Sequence, residues 1–478
     1  MSRIVLGLYS AVLWLAQPLL RRKLRRRAVA EPGYAVAVDE RFGRYPQPID
    51  SLMPHSSMNP MGQFVWVHAV SLGETRAAAI LVTALRAQWP DMRVLLTHGT
   101  ATGRAEGEKW LLPGDVQVWL PWDTAGAVAR FLRKFRPVLG VLMETEVWPN
   151  LVAGCRKCGV PLVLANARFS EKSLHKAQRV AALARPAYSG LTAAWAQTEE
   201  DATRLRALGT PVGGVFGNLK FDVVPDAAQL AQGRAWRATS RRPVVLLASS
   251  REGEEALWLN VVKQKQALAL MHQAQAAINS EASTAAAADA KTTTTTTTAA
   301  AFDPLAVQWL IVPRHPQRFD EVAALLSRAG LRVSRRSQWH AEPPTEPSAT
   351  EVDVWLGDSL GEMALYYALA DVALLGGSFE PLGGQNLIEA AACGCPVVLG
   401  PHTFNFAQAA EAACSVGAAQ RVADMERGVS AACEWASDPQ SLTLGRDRAV
   451  GFAKAHRGAA ERTAHALADV LAVTRSRD

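Results

Sequence analysis

The sequence is poor in the features that would announce several common classes of protein. Its 478 residues hold six cysteines, too few for the disulfide framework of a secreted scaffold, so a reducing compartment is expected. Cys155 and Cys158 form one C-x-x-C, but no second pair stands at zinc-ligand spacing and no thioredoxin-like context surrounds it. There is no G-x-x-x-x-G-K-[ST], which disfavours a P-loop enzyme. Nor does a G-x-G-x-x-G follow the first strand of either half, which weakens a dehydrogenase reading. The uncharged stretch Ile4–Leu20 sits at the short limit of the ~17–25 residues that a membrane-spanning helix needs.

Charge is unevenly spread. The formal net charge of +7 suits an anionic partner, yet much of the excess lies in Arg21, Arg22, Lys23, Arg25, Arg26 and Arg27. The remainder is only mildly basic, which argues against a nucleic-acid groove. In a signal peptide the charge precedes the apolar stretch and a small-residue cleavage site follows it; here neither holds. Residues 1–27 therefore read as an uncleaved membrane anchor with a basic flank that keeps the body on the cytoplasmic side and can bind anionic headgroups. A buried N-terminal helix of a soluble protein is the alternative.

From residue 28 onward, β-rich runs alternate with helical stretches: 64–71, 93–99, 116–122, 138–145, 161–167, 191–198 and 212–217. After a polar stretch the pattern restarts at 243–250, 308–314, 352–357, 371–377 and 395–400. Such alternation implies parallel sheets covered by helices on both faces. The expectation is an α/β protein of two doubly wound, Rossmann-like domains, 28–225 and 226–478, facing a cleft. Ligands bind such sheets beyond the carboxyl ends of the strands. The low-complexity segment 264–301 has no apolar periodicity and reads as a solvated loop, helical at most over its Ala-rich start, Gln266–Ala277.

The distinctive motifs fall at strand ends. Ser71-Leu72-Gly73-Glu74-Thr75 places Glu74 near a helix start, where a carboxylate serves either as a general base or as a complement to the helix dipole. In Glu144-Thr145-Glu146-Val147-Trp148-Pro149-Asn150, two acids follow an apolar run, which requires exposure, a basic partner or a polar ligand. The second half offers Pro313-Arg314-His315-Pro316, then Gly357 to Glu362, Gly376-Gly377-Ser378-Phe379, and Gly383-Gly384-Gln385-Asn386-Leu387-Ile388-Glu389. Together these describe a nucleotide site: amides at a helix start hold phosphate, and a carboxylate one turn in binds ribose hydroxyls.

The ordered set H-x-x-S-x-G-E (68–74), E-T-E-x-W-P-N (144–150), N-A-R (166–168), G-N-L-K-F-D (217–222), P-R-H-P (313–316), G-G-S-F (376–379) and G-G-Q-N-x-x-E (383–389) resembles that of the 3-deoxy-D-manno-octulosonic acid (Kdo) transferases. The resemblance runs along nearly the whole chain. It implies a GT-B glycosyltransferase with an acceptor-binding N-domain and a nucleotide-binding C-domain, CMP-Kdo as donor and a lipid A precursor as acceptor. It further implies Glu74 as general base, Glu144 and Lys220 as supports of the transition state, and CMP held around Pro313 and Arg314, Leu360, Gly361 and Glu362, and Asn386 to Glu389. His315, Gly377 and Ser378 join the expected donor site. No cofactor or metal is expected, CMP-Kdo being a co-substrate, and the inner membrane's cytoplasmic face is the expected location. At Ser249-Ser250-Arg251 the chain departs from the family's usual S-T-H. Two other readings remain: a GT-B enzyme using a different nucleotide sugar, and a non-catalytic anchored protein that binds glycolipids.

Overall fold

A computed structural model describes residues 3–46, 64–286, 306–339 and 352–475. The chain forms two compact units, Met1–Asp222 with His456–Asp478, and Val223–Ala455.

In the first unit, seven strands form one parallel sheet of order β3-β2-β1-β4-β5-β6-β7. They are β1 (Phe64–His68), β2 (Arg93–His98), β3 (Val116–Trp119), β4 (Leu139–Met143), β5 (Leu162–Ala167), β6 (Ala193–Ala196) and β7 (Val212–Val215). These runs are predominantly apolar because helices cover both faces. Phe64 and Trp66 enter one core with Leu95, Phe131 and Leu164, while Val65 and Val67 enter the other with Leu81, Leu96 and Val141. Strand order reverses between β1 and β4, the crevice where such sheets bind ligands.

The second unit repeats the plan with order β10-β11-β9-β8-β12-β13-β14. Its strands are β8 (Val244–Ser250), β9 (Gln308–Pro313), β10 (Val333–Arg335), β11 (Val354–Leu356), β12 (Val372–Leu375), β13 (Val397–Leu399) and β14 (Ala419–Arg421). Here the reversal falls between β8 and β12. The two doubly wound domains expected from sequence are thus present, with edge strands β10 and β14 in addition.

Two boundaries differ from the sequence reading. Residues 456–478 belong to the first unit: the helix Ala459–Arg475 inserts Ala460, Ala464 and Leu467 into the core beneath the helix Leu72–Gln88. Asp222 secures that return by accepting from the amides of Gly458 and, at 2.6 Å, Ala460, as a helix N-cap does. The segment expected as a loop from 264 onward instead continues the helix Glu254–Ala286, whose Ala, Gln and Leu content favours helix and which buries Trp258, Leu259, Val262 and Ala269; the rest of 264–301 lies outside the described residues.

The N-terminal segment is two helices, Arg3–Leu15 and Gln17–Ala30, bent by 50°. Pro18 has no amide to continue the first helix, which explains the break there. No single helix among the described residues is long and apolar enough to cross a membrane, whereas the bent pair together has sufficient length and composition. Ile4, Leu8, Trp14 and Leu19 are 73%, 64%, 65% and 68% exposed. The first helix is fastened on its other side by Ser10, whose hydroxyl donates to Asn150 Oδ1 at 3.0 Å.

Candidate active site

Glu74 sits where β1 ends. Ser71 caps the helix Leu72–Gln88, and three residues on, Glu74 turns its carboxylate back over the helix start, a capping-box arrangement. Its Oε2 accepts from the Val70 amide at 2.9 Å and its Oε1 from the Ser71 hydroxyl at 3.0 Å. Burial raises its pKa to about 7, and the charges of Glu144 and Glu146 push the same way, against the lowering effect of Val70 and Ser71. A carboxyl group held there is poised to exchange a proton at neutral pH.

Glu144 lies across the switch point at the end of β4, with φ +57°. Asn166, at the end of β5, has φ +53°. Two adjacent left-handed residues that are not glycine store strain that the fold must hold in place. The holding is visible: Glu144 N–H donates to Ala165 O at 3.0 Å, Arg168 N–H to Glu144 O at 3.1 Å, and Leu219 N–H to Asn166 Oδ1 at 3.0 Å. The result aims Lys220 at Glu144, Nζ to Oε1 being 3.3 Å. Asn166 thus assembles the pair, although its strand position alone carries only the hint that asparagine tolerates a left-handed backbone. Glu146 is turned aside, accepting from Trp148 Nε1 at 2.9 Å, and burial raises its pKa.

In the second unit the expected donor residues gather at the ends of β8, β9, β11 and β12. Arg314 follows β9, its Nε donating to Gln385 Oε1 at 3.2 Å. Burial, together with Arg251 and Arg314 nearby, lowers the pKa of His315. Leu360 is exposed, Gly361 has φ +81°, and Glu362 accepts from Arg336 at 2.8 Å and from Ser359. Gly376 fits only as glycine, since a Cβ there would collide with Ser249 O.

Several expected contacts are restricted to the backbone. Pro313, Leu387 and Ile388 are buried, and the Ser378 hydroxyl is committed to Leu375 O and to the Gly400 amide. Asn386 caps the helix Leu387–Ala392 by accepting from Ile388 N–H at 3.1 Å, which satisfies one amide expected to face phosphate. Glu389 is half-buried in that helix. Scaffolding comes from residues the motifs did not single out. Glu254 accepts from the amides of Arg251, Gly377 and Phe379, and Glu255 takes a bidentate pair from Arg318 at 2.9 and 3.0 Å. The Glu254 bonds fix the Gly377 turn against the end of β8.

Chemically, the first unit offers a proton acceptor beside an ion pair, and the second offers a cation and glycine turns at strand ends. Among the described residues, no group of three or more His, Cys, Asp or Glu could hold a metal ion.

Residues 37–223 match the family described as 3-deoxy-D-manno-octulosonic-acid transferase (kdotransferase). The chain is 44% identical over 471 residues to a 3-deoxy-D-manno-octulosonic acid transferase of Bordetella pertussis, covering 97% of this chain and 99% of that one. It is 31% identical over 402 residues to a protein of the same description from Haemophilus influenzae, covering 83% and 82%. A glycosyltransferase crystal structure from Rickettsia africae aligns with 87% of this chain and 100% of its own at a TM-score of 0.50 and 10% identity, a likeness of fold alone.

Proposed function

The chain belongs to the 3-deoxy-D-manno-octulosonic acid (Kdo) transferase family and is a glycosyltransferase, and from that premise we propose that it moves Kdo from CMP-Kdo to a lipid A precursor, inverting the anomeric carbon. In this reading Glu74 takes the proton from the acceptor hydroxyl as its oxygen bonds to the anomeric carbon. The bond to the CMP phosphate breaks, and CMP leaves with the electron pair. Glu144 and Lys220 support the transition state, while Arg314, His315 and the turns at Gly361, Gly377 and Asn386 hold the donor. The two units divide the work as in a GT-B enzyme, the first taking the acceptor and the second the donor, and no metal takes part. The bent N-terminal helices hold the protein to the cytoplasmic face of the inner membrane, a reading supported by their outward apolar side chains and by Arg21–Arg27.

The observation that carries the reaction is Glu74: a carboxylate anchored by Val70 and Ser71 at the switch point, with a pKa raised to about 7. The test is transfer of radiolabelled Kdo from fresh CMP-Kdo to the lipid A precursor by wild type and Glu74→Ala. Transfer by wild type with a fall of ~10²-fold or more in the variant is expected for loss of a general base. Absence of transfer by wild type contradicts the donor assignment, as does protection against unfolding by UDP but not by CMP.

A further inference from the structure

On the flank of the first unit's sheet the helices Ala125–Phe135 and Pro149–Lys157 pack side by side. Ala125, Ala129 and Arg133 recur every four residues and so share one face of the first, while Ala153, Gly154 and Lys157 stand on the second. These short side chains leave a groove of about 1010 Å³, lined among the described residues by the first unit alone. Its apolar walls are Val128, Leu132, Val138 and Val160, with Leu6 from the helix Arg3–Leu15 and Leu471 from the helix Ala459–Arg475.

Charge and continuity specify the occupant. Arg133, Arg136 and Lys157 are exposed and line the groove, and no aspartate or glutamate stands among its described lining residues. Both helices lead back into parallel strands, so these three cations gather at one end of the sheet. A cation in a last turn complements the helix dipole, but three over one apolar groove without a carboxylate suit an anion that carries hydrocarbon. The groove also continues the outward apolar surface of the N-terminal helices. Leu6 lies between the exposed Ile4 and Leu8, and Ser10 fastens that helix to Asn150 at the groove's other end. Arg136 and Val160 precede β4 and β5, whereas Glu74 and Glu144 stand at the opposite ends of the strands; the five residues of β4 alone span ~16 Å. A head group on these cations is therefore held away from the candidate base, which makes the occupant a lipid other than the acceptor. We propose that this groove binds one anionic membrane phospholipid, its phosphate on Arg133, Arg136 and Lys157 and an acyl chain between Leu6 and the small residues of the two helices. The site is additional to the membrane attachment through Arg21–Arg27 and does not depend on the reaction given above.

The test is native mass spectrometry of the full-length protein in detergent, with dioleoyl phosphatidylglycerol or dioleoyl phosphatidylcholine added. Wild type retains one phosphatidylglycerol, held ~10-fold or more tightly than phosphatidylcholine, as three cations at one phosphate imply. Arg133→Gln, Arg136→Gln and Lys157→Gln together cut that preference to about twofold. Ala129→Trp, at an exposed position on the groove's face, fills the groove and abolishes retention, with the unfolding temperature in lipid-free detergent unchanged. If that temperature falls, the glutamine variant decides. Arg21–Arg27 are intact in every variant, so a loss reports the groove, and the readout needs no Kdo transfer. Equal retention of the two lipids by wild type, no retention at all, or a folded variant that behaves as wild type overturns the site. A ~10-fold rise in acceptor KM for Ala129→Trp, with the acceptor dispersed in detergent free of phospholipid, gives the groove to the acceptor and overturns the proposal as well.

Discussion

Lys220 Nζ lies 3.3 Å from Glu144 Oε1, and the charge of Glu144 is one of the influences that raise the pKa of Glu74. The ion pair therefore tunes the candidate base. Glu144→Gln removes a negative charge and lowers the Glu74 pKa, so the acidic limb of the pH–rate profile moves to lower pH. Lys220→Ala leaves Glu144 uncompensated and moves that limb to higher pH, with a rate loss of ~10-fold or more if the cation stabilises the transition state. Measured limbs that shift in the same direction for both variants contradict this coupling.

The Arg318–Glu255 pair is buried on both sides, at 8% and 1% side-chain exposure. Arg318→Ala strands the carboxylate, and a loss of ~3–5 kcal/mol is expected. The check is chemical denaturation followed by a probe in the second unit. A loss below about 1 kcal/mol means that the pair does not hold the β8 and β9 ends together.

At the N-terminus, replacing Ile4, Leu8, Trp14 and Leu19 by serine removes most of the outward apolar surface of the two helices. Fractionation is expected to release the variant from membranes, while Kdo transfer to detergent-dispersed acceptor persists. Continued sedimentation with the membranes argues that the basic residues alone suffice.

Metal independence is tested by chelation. With Lys220 and Arg314 supplying positive charge, EDTA leaves Kdo transfer unchanged; loss of activity restored by one divalent cation contradicts the metal-free mechanism.

Much of this organisation is legible from the residues alone. The runs at 64–67 and 244–248 are apolar throughout and bounded by turns, so their place at the centre of a parallel sheet follows directly. By contrast, Val333–Arg335 and Ala419–Arg421 are three-residue edge strands with polar members, and no periodicity reveals them. The Ala-rich pattern of Ala459–Arg475 signals a helix but not which sheet it covers; that depends on Asp222 far away in sequence. Glu74, Glu144 and Lys220 stand out through linear motifs at strand ends. The left-handed backbone at Asn166 arises from tertiary contacts, which no local pattern encodes. The departure from S-T-H at Arg251 leaves its backbone role intact, because the amide, not the side chain, bonds Glu254 at 2.9 Å.

The central claim is that Glu74 accepts the acceptor's proton, and its pH dependence follows from its pKa. The carboxyl must be ionised to act, so kcat/KM for Kdo transfer rises as pH passes through about 7 and levels above it. Because the folded pKa is raised above that of an ordinary carboxyl, the folded state binds the extra proton, and stability falls as pH rises from about 4.5 to about 7. The most direct measurement is the pH profile of Kdo transfer for wild type beside Glu74→Gln, with stability followed over the same range. The account predicts a wild-type limb near pH 7, a ~10²-fold lower and limb-free rate in the variant, and a variant whose stability declines less across that interval, Asp123 and Glu146 still contributing there. A variant that keeps both the rate and the limb contradicts it.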